Sequence, residues 1–337
     1  MNHYELDLNK TTSYLCSKHK KKLIIMKLHL LGGSCLLALL SACSSGEEEQ
    51  IKIPEVPVKQ IPITLNCVAS NASANADESV HTRITDWGYE SQDKIGLYVV
   101  NYNGTTPGTL QNNGNHVNNM RFTYGSNGTW SPDKEIFWKD ENTQADFYCY
   151  FPYATPSDIS AHSFSVKEDQ STEQAYKASE FLYGKTSGVA PTEDAVSITT
   201  KHIFSCAVIN VKAGNGFTDE ILAQSTISVK MNGIKTGATV NLTNGTATAT
   251  GTAKTILPLE NGNNRSYKAL VVPQTASGDN FITVNIDGRD FNLNKEFTFV
   301  GGKRHTFSVT VSKTSNGINV GIGAWEDDDI DNGGVAE

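Results

Sequence analysis

The chain of 337 residues is 38% apolar and 9% aromatic with 28 glycines, an ordinary globular composition whose length suggests two domains and excludes a disordered, collagenous or coiled-coil protein. Its 28 basic and 36 acidic side chains give a formal charge of −8. Residues 1–42 hold six lysines and two acids, so the remainder carries 22 cations against 34 anions, a net −12 that repels phosphate backbones and argues against nucleic-acid binding.

The first predicted element is an export signal. Lys18-His-Lys-Lys-Lys22 precedes an apolar run from Leu28 to Leu40, which ends in Leu40-Ser-Ala-Cys43. A basic segment, a short apolar core and small residues before a cut form a secretory signal, and the run is too short to span a bilayer comfortably. Leu-Ser-Ala-Cys resembles the bacterial lipobox, in which the cysteine takes palmitate-type acyl chains and becomes residue one of the mature lipoprotein. That resemblance implies lipidation of Cys43, loss of residues 1–42 and membrane attachment through the lipid anchor only. Residues 26–43 alone make a compact signal, so Met26 is a second candidate start.

Residues 43–60 read as a tether. The tract Ser44-Ser-Gly-Glu-Glu-Glu49 is a solvated spacer that also resembles the signal carrying some lipoproteins to the outer face of the outer membrane. Pro54, Pro57 and Pro62 then keep the chain extended.

Beyond the tether, short runs are separated by turn residues. Lys94–Val100, Ala145–Phe151, Ile203–Val211, Thr226–Met231, Phe281–Ile286 and His305–Val311 all read as strands. Among the Asn-Gly pairs, those beginning at 103, 127, 232, 244, 261 and 316 each read as a hairpin signal. Thr218 to Gln224 is the one short helix expected, capped by Thr218. The expected fold is all-β, with an N-terminal β-sandwich over 61–190, a C-terminal β-sandwich over 191–325 and a solvated acidic tail over 326–337. After Cys43 the cysteines are Cys67, Cys149 and Cys206, an odd number that makes no complete disulfide framework. Each falls on the apolar parity of its strand and reads as a small buried hydrophobe: Cys67 with Ile61, Ile63 and Leu65, Cys149 with Phe147 and Phe151, Cys206 with Phe204 and Val208.

Signatures of enzyme chemistry are missing: no nucleophile elbow, zinc-protease helix, phosphate loop or dinucleotide fingerprint occurs. His81, His116, His162, His202 and His305 lie in different predicted elements without ligand spacing. Asp327, Asp329 and Asp331 mimic a calcium loop, but its glycine comes one place late and the position-twelve glutamate is missing. No catalytic residue, metal or cofactor is expected.

Several segments, in order, resemble the fimbrillin family, the two-domain subunits of type V pili. They are the lipobox, the strand Ile61–Val68, Trp87 with Asp93-Lys-Ile-Gly-Leu-Tyr98, Trp130 with Ile136-Phe-Trp138, and Phe147-Tyr-Cys-Tyr-Phe-Pro152. Gln170-Ser171 leading to Phe181-Leu-Tyr183, His202-Ile-Phe204, Gly301–Phe307 and Ile318–Trp325 complete the series. The Phe and His positions near 202 are partly rearranged, and Phe307 stands where the family usually has Tyr.

The resemblance implies two transthyretin-like antiparallel sandwiches in tandem, in an outer-membrane lipoprotein exposed on the cell surface and then built into a fimbrium. It implies cleavage after an arginine beyond the first strand, carried over here to Arg83, and exchange of that strand for a neighbour's C-terminal segment. Partners would be other copies or related pilus subunits and an adhesion ligand on a host or bacterial surface.

The physics of such an exchange is independent of the family. Loss of residues 44–83 removes the strand with Ile61, Ile63, Leu65 and Cys67 on one face, leaving an apolar groove and open strand edges. Ile318, Val320 and Ile322 alternate with Asn319, Gly321 and Gly323 and so present three apolar groups in one direction. That segment reads either as the donor or as the last strand of its own domain. A competing expectation is a non-polymerising surface lipoprotein that binds glycans beside a transporter, with Trp87, Trp130, Trp138 and Trp325 as stacking platforms.

Overall fold

The computed structural model describes residues 60–70, 88–313 and the backbone of 334–336. Its first strands are β1 (Leu65–Ala69), β2 (Lys94–Asn101), β3 (Val117–Tyr124), β4 (Trp130–Pro132), β5 (Ala145–Phe151), β6 (His162–Ser165), β7 (Leu182–Val189) and β8 (Val196–His202). They are followed by β9 (Ser205–Ala213), β10 (Ile227–Asn241), β11 (Thr246–Ile256), β12 (Leu259–Glu260), β13 (Ser266–Val271) and β14 (Gln274–Ala276). The last are β15 (Ile282–Ile286), β16 (Arg289–Leu293), β17 (Phe297–Phe299), β18 (Arg304–Val311) and β19 (Gly334–Ala336). Among the described residues, two short helices, α1 (Glu173–Lys177) and α2 (Asp219–Gln224), are capped by the hydroxyls of Thr172 and Thr218.

The all-β expectation holds. One sheet has the order β1-β8-β7-β5-β2-β3-β4; a second is β11-β10-β15-β16 with β6 on β10; a third is β12-β13-β9-β18-β19. Pairing is mainly antiparallel, but β1–β8, β9–β18 and β18–β19 are parallel. The ends of the first sheet approach one another: Trp130 of β4 donates its indole N–H to the Cys67 carbonyl of β1 at 3.0 Å, and Pro62 bridges Phe137. The sheet thereby wraps a core that includes Leu65, Leu97, Phe122, Phe147 and Ile198. The second and third sheets contribute to another core, with Ile209, Met231, Phe281, Val284 and Phe307.

β2 and β5 are covered on both faces. Leu97, Val99, Phe147 and Cys149 line the first core, while Tyr98, Val100, Tyr148 and Tyr150 belong to the second. Tyr150 can lie over β2 because residue 96 is glycine: a Cβ there would meet the Tyr150 ring at 2.3 Å. The Tyr150 hydroxyl lies 2.7 Å from both Asn119 Oδ1 and the Ala154 carbonyl, either of which can accept its one proton, so the buried phenol is satisfied.

β8, beyond residue 190, still pairs in the first sheet, and β6 pairs with β10 of the second. In the acidic tail, 334–336 pair in parallel with Val309–Val311, so the solvated-tail reading does not extend to this backbone.

Asn-Gly at 127 and 244 turns β3 into β4 and β10 into β11, and the pair at 261 lies between β12 and β13. The pair at 103 makes a local turn closed by Asn103 and Thr106. The pair at 232 is not a hairpin: β10 continues through it as a bulge between Met231 and Ile234, with Gly233 at φ +74. The pair at 316 lies outside the described residues.

Cys206 also departs from expectation. Ala207, Ile209 and Val211 are the β9 residues that face the second core. Cys206 lies on the other face, half-buried beside Tyr176, Leu259 and Leu270. The outer face of β9 is mixed, with Cys206 and Val208 followed by Asn210 and Lys212, and Cys206 is only partly covered there.

Candidate functional site

The site that the structure builds is the seat of the first strand. Ile61 is half-buried and Ile63, Leu65 and Cys67 are buried, while Pro62, Thr64, Asn66 and Val68 point to solvent. A residue period of two places Ile61, Ile63, Leu65 and Cys67 on the inward side, while Val68, 48% exposed, lies on the outer one. Ile63, Leu65 and Cys67 join one core with Trp130, Ile136, Trp138 and Cys149. Burying Ile63 and Leu65 contributes about 1.5–3 kcal/mol each before ordering costs.

The backbone of this segment is held from two sides. On one, Leu65 to Ala69 pair in parallel with Val196 to Thr200. Val196 N–H donates to the Thr64 carbonyl and Ser70 N–H to the Thr200 carbonyl, both at 2.8 Å. On the other, Ile63 N–H donates to the Ile136 carbonyl at 2.8 Å and Trp138 N–H donates to the Ile61 carbonyl at 2.9 Å. The segment Ile136–Trp138 therefore flanks the strand's start, and β8 flanks its remainder.

Tyr89 covers the far end. Its hydroxyl lies 2.7 Å from Thr200 Oγ1 and 3.7 Å from Cys67 Sγ. Its ring meets Trp130 edge-on at 4.8 Å and Phe151 at 5.9 Å. Burial pushes the Tyr89 phenol well above its ordinary pKa. Tyr89 was invisible to sequence reasoning, since a lone tyrosine after a polar stretch carries no periodic signal.

Ile61, Ile63, Leu65 and Cys67 are thus brought together on one face of one segment. Cys43, Arg83, Ile318, Val320 and Ile322 lie outside the described residues, as do Trp87 and Trp325. Trp130 and Trp138 are buried at 8% and 5% exposure, so neither is an open platform for a sugar ring.

Comparison with known proteins agrees with this architecture. The family described as fimbrillin-like matches residues 82–325. A Bacteroides uniformis protein named "Putative fimbrium subunit Fim1C" is 26% identical over 261 residues, covering 73% of this chain and 82% of that relative. Two crystal structures described as a "putative cell adhesion protein" share the fold. The one from Bacteroides uniformis has a TM-score of 0.52 at 23% identity, covering 72% of this chain and 90% of that one. The one from Bacteroides ovatus has a TM-score of 0.56 at 16% identity, covering 73% and 90%.

Proposed function

The chain belongs to the fimbrillin-like family, and from that membership we propose that it is a structural, adhesive fimbrium subunit whose first strand is a removable plug. It carries out no catalysis. It is exported as a lipoprotein acylated at Cys43 and reaches the outer-membrane surface. A cut after Arg83 frees the strand, and a second subunit's Ile318, Val320 and Ile322 refill the groove. Such head-to-tail exchange does not close on itself, so it yields a filament.

The observation carrying this reading is the way the first strand is seated. It inserts alternate apolar residues into a wall made by β8 and Ile136–Trp138. Its removal would strip the wall of main-chain partners and of three buried side chains, the conditions under which an added extended segment gains both hydrogen bonds and pockets.

Limited trypsin treatment of the full chain in reducing buffer tests the reading. Between Ser70 and Gly88 the only tryptic site is Arg83, and cleavage there should give a ladder of species on unboiled gels. Arg83→Ala should abolish the ladder. A cleaved, front-strand-free protein that stays monomeric would overturn the proposal. The glycan reading is weakened by the burial of Trp130 and Trp138, and titration with oligosaccharides separates it from the pilin reading.

A further inference from the structure

Cys67 and Cys149 meet inside the first core. Their Sγ atoms are 3.7 Å apart, with Cys67 at 3% exposure and Cys149 at 0%. They lie on β1 and β5, which are not neighbours, since β8 and β7 stand between them in the sheet. The contact therefore crosses the interior of the wrapped sheet. Cys67 belongs to the strand proposed to leave, and Cys149 to the body that stays.

We propose that Cys67 and Cys149 form a disulfide that locks the first strand in its groove, and that reduction of this bond permits its release. The inference rests on the reading of that strand as removable. Its logic follows from chain order: Arg83 lies between the two cysteines, so a chain cut there remains covalently joined while the bond is intact. In the oxidised subunit, proteolysis alone does not open the groove.

The chemistry is thiol–disulfide exchange with an external disulfide as oxidant. Cys67, as thiolate, attacks one sulfur of that disulfide and expels a thiolate, leaving a mixed disulfide on Cys67. Cys149 gives up its proton, attacks Cys67 Sγ and expels the second thiolate. Two protein thiols and one external disulfide become one protein disulfide and two external thiols, with two electrons passing to the oxidant. Exchange takes place as the strand seats, while Cys67 is still accessible. The remaining approach, from 3.7 Å to about 2.05 Å, requires side-chain rotation and a small shift of β1, an end strand of five residues. Cys206, half-buried in a different cluster near Tyr176, serves as an internal reference thiol.

The test uses the full chain, refolded with or without hydroxyethyl disulfide and mapped by mass spectrometry of peptides under non-reducing conditions. The expected result is a linked pair joining the Cys67 and Cys149 peptides, with Cys206 outside it. After trypsin cleavage at Arg83, the oxidised protein should retain its front segment and show no ladder. Dithiothreitol should restore both release and laddering. Cys67→Ala should ladder without reductant, and because that residue sits in the departing segment, the assembled body is unaltered; Cys149→Ala should do the same from the other side. The latch is overturned if Cys67 and Cys149 both remain titratable after oxidative refolding. It is equally overturned if cleaved protein ladders to the same extent in both redox states, an outcome that leaves the pilin reading intact. Redox-dependent retention without any ladder in dithiothreitol would uphold the latch and sink the assembly reading instead.

Discussion

The two cores are closed in different ways. In the second, β9 is paired with β13 over six residues and with β18 over eight, and all three strands belong to the main body of the chain. In the first, the sheet is completed by a five-residue strand that touches β8 on one side and hands its start to Ile136–Trp138 on the other. Both cores exclude water from large apolar side chains, and the first takes Ile63, Leu65 and Cys67 from a short segment to do so. Closure by a piece of this kind is what the proposed exchange would exploit.

Mutations that separate the two cores sharpen this contrast. Phe307, fully buried in the second core, should be the most costly to truncate. Phe307→Ala is expected to lower unfolding free energy by about 3–5 kcal/mol, equally in the precursor and in protein cleaved and freed of its first strand. Ile63→Ala should cost the precursor about 2–5 kcal/mol and the strand-free protein nothing. Equal losses in both forms, measured by denaturant unfolding, would show that the strand never left.

Thr200→Val keeps the shape of a fully buried side chain but removes the hydroxyl that contacts Tyr89 and donates to the Val68 carbonyl at 3.2 Å. About 1–3 kcal/mol should be lost in the precursor, and less once Val68 has departed. At the β10 bulge, Gly233→Ala forces a side chain into φ +74 and within 2.6 Å of Ser277 Oγ. A loss of about 1–2 kcal/mol is expected there, insensitive to cleavage because the site belongs to the second region.

The smallest effect concerns acid. His305 Nε2 accepts the Val300 N–H at 3.1 Å, and burial holds this imidazole below its usual pKa. The unfolded chain thus binds the proton first as pH falls. The contribution is fully present above about pH 6.5 and declines as pH drops toward the lower folded value. Urea midpoints on either side of that pH should fall with acidification, and His305→Gln should flatten the trend; an unchanged slope would remove His305 from the account.

Much of this was legible in the alternation of residues. Ala145–Phe151 and the capped helix at Asp219–Gln224 appear where the pattern places them, and the inward parity of Ile61, Ile63, Leu65 and Cys67 is a property of the sequence itself. What alternation hid is coverage. On β2 and β5 the second face carries Tyr98, Val100, Tyr148 and Tyr150, which pack like core residues, so two-sided burial leaves no polar register to read. The Asn232-Gly233 pair misled because a positive φ serves a bulge as well as a hairpin. Asp287-Gly288, both at positive φ, makes the tight β15–β16 turn that the Asn-Gly search passed over. The meeting of Cys67 with Cys149 depends on how the sheet wraps, a long-range fact absent from any local window.

The partner of β1 lies far along the chain: Val68 receives its hydrogen bond from Thr200, 132 positions later. During synthesis from the amino end, the opening segment has no ladder to join until β8 exists, by which time β2, β3, β5 and β7 can already have assembled. Long-range pairing of this type is slow, because loop closure must be met before the contact rewards it. Within the first sheet, β1 can thus dock last, as an end strand added to a wall that is already paired, and this is the physical premise on which the proposed exchange rests.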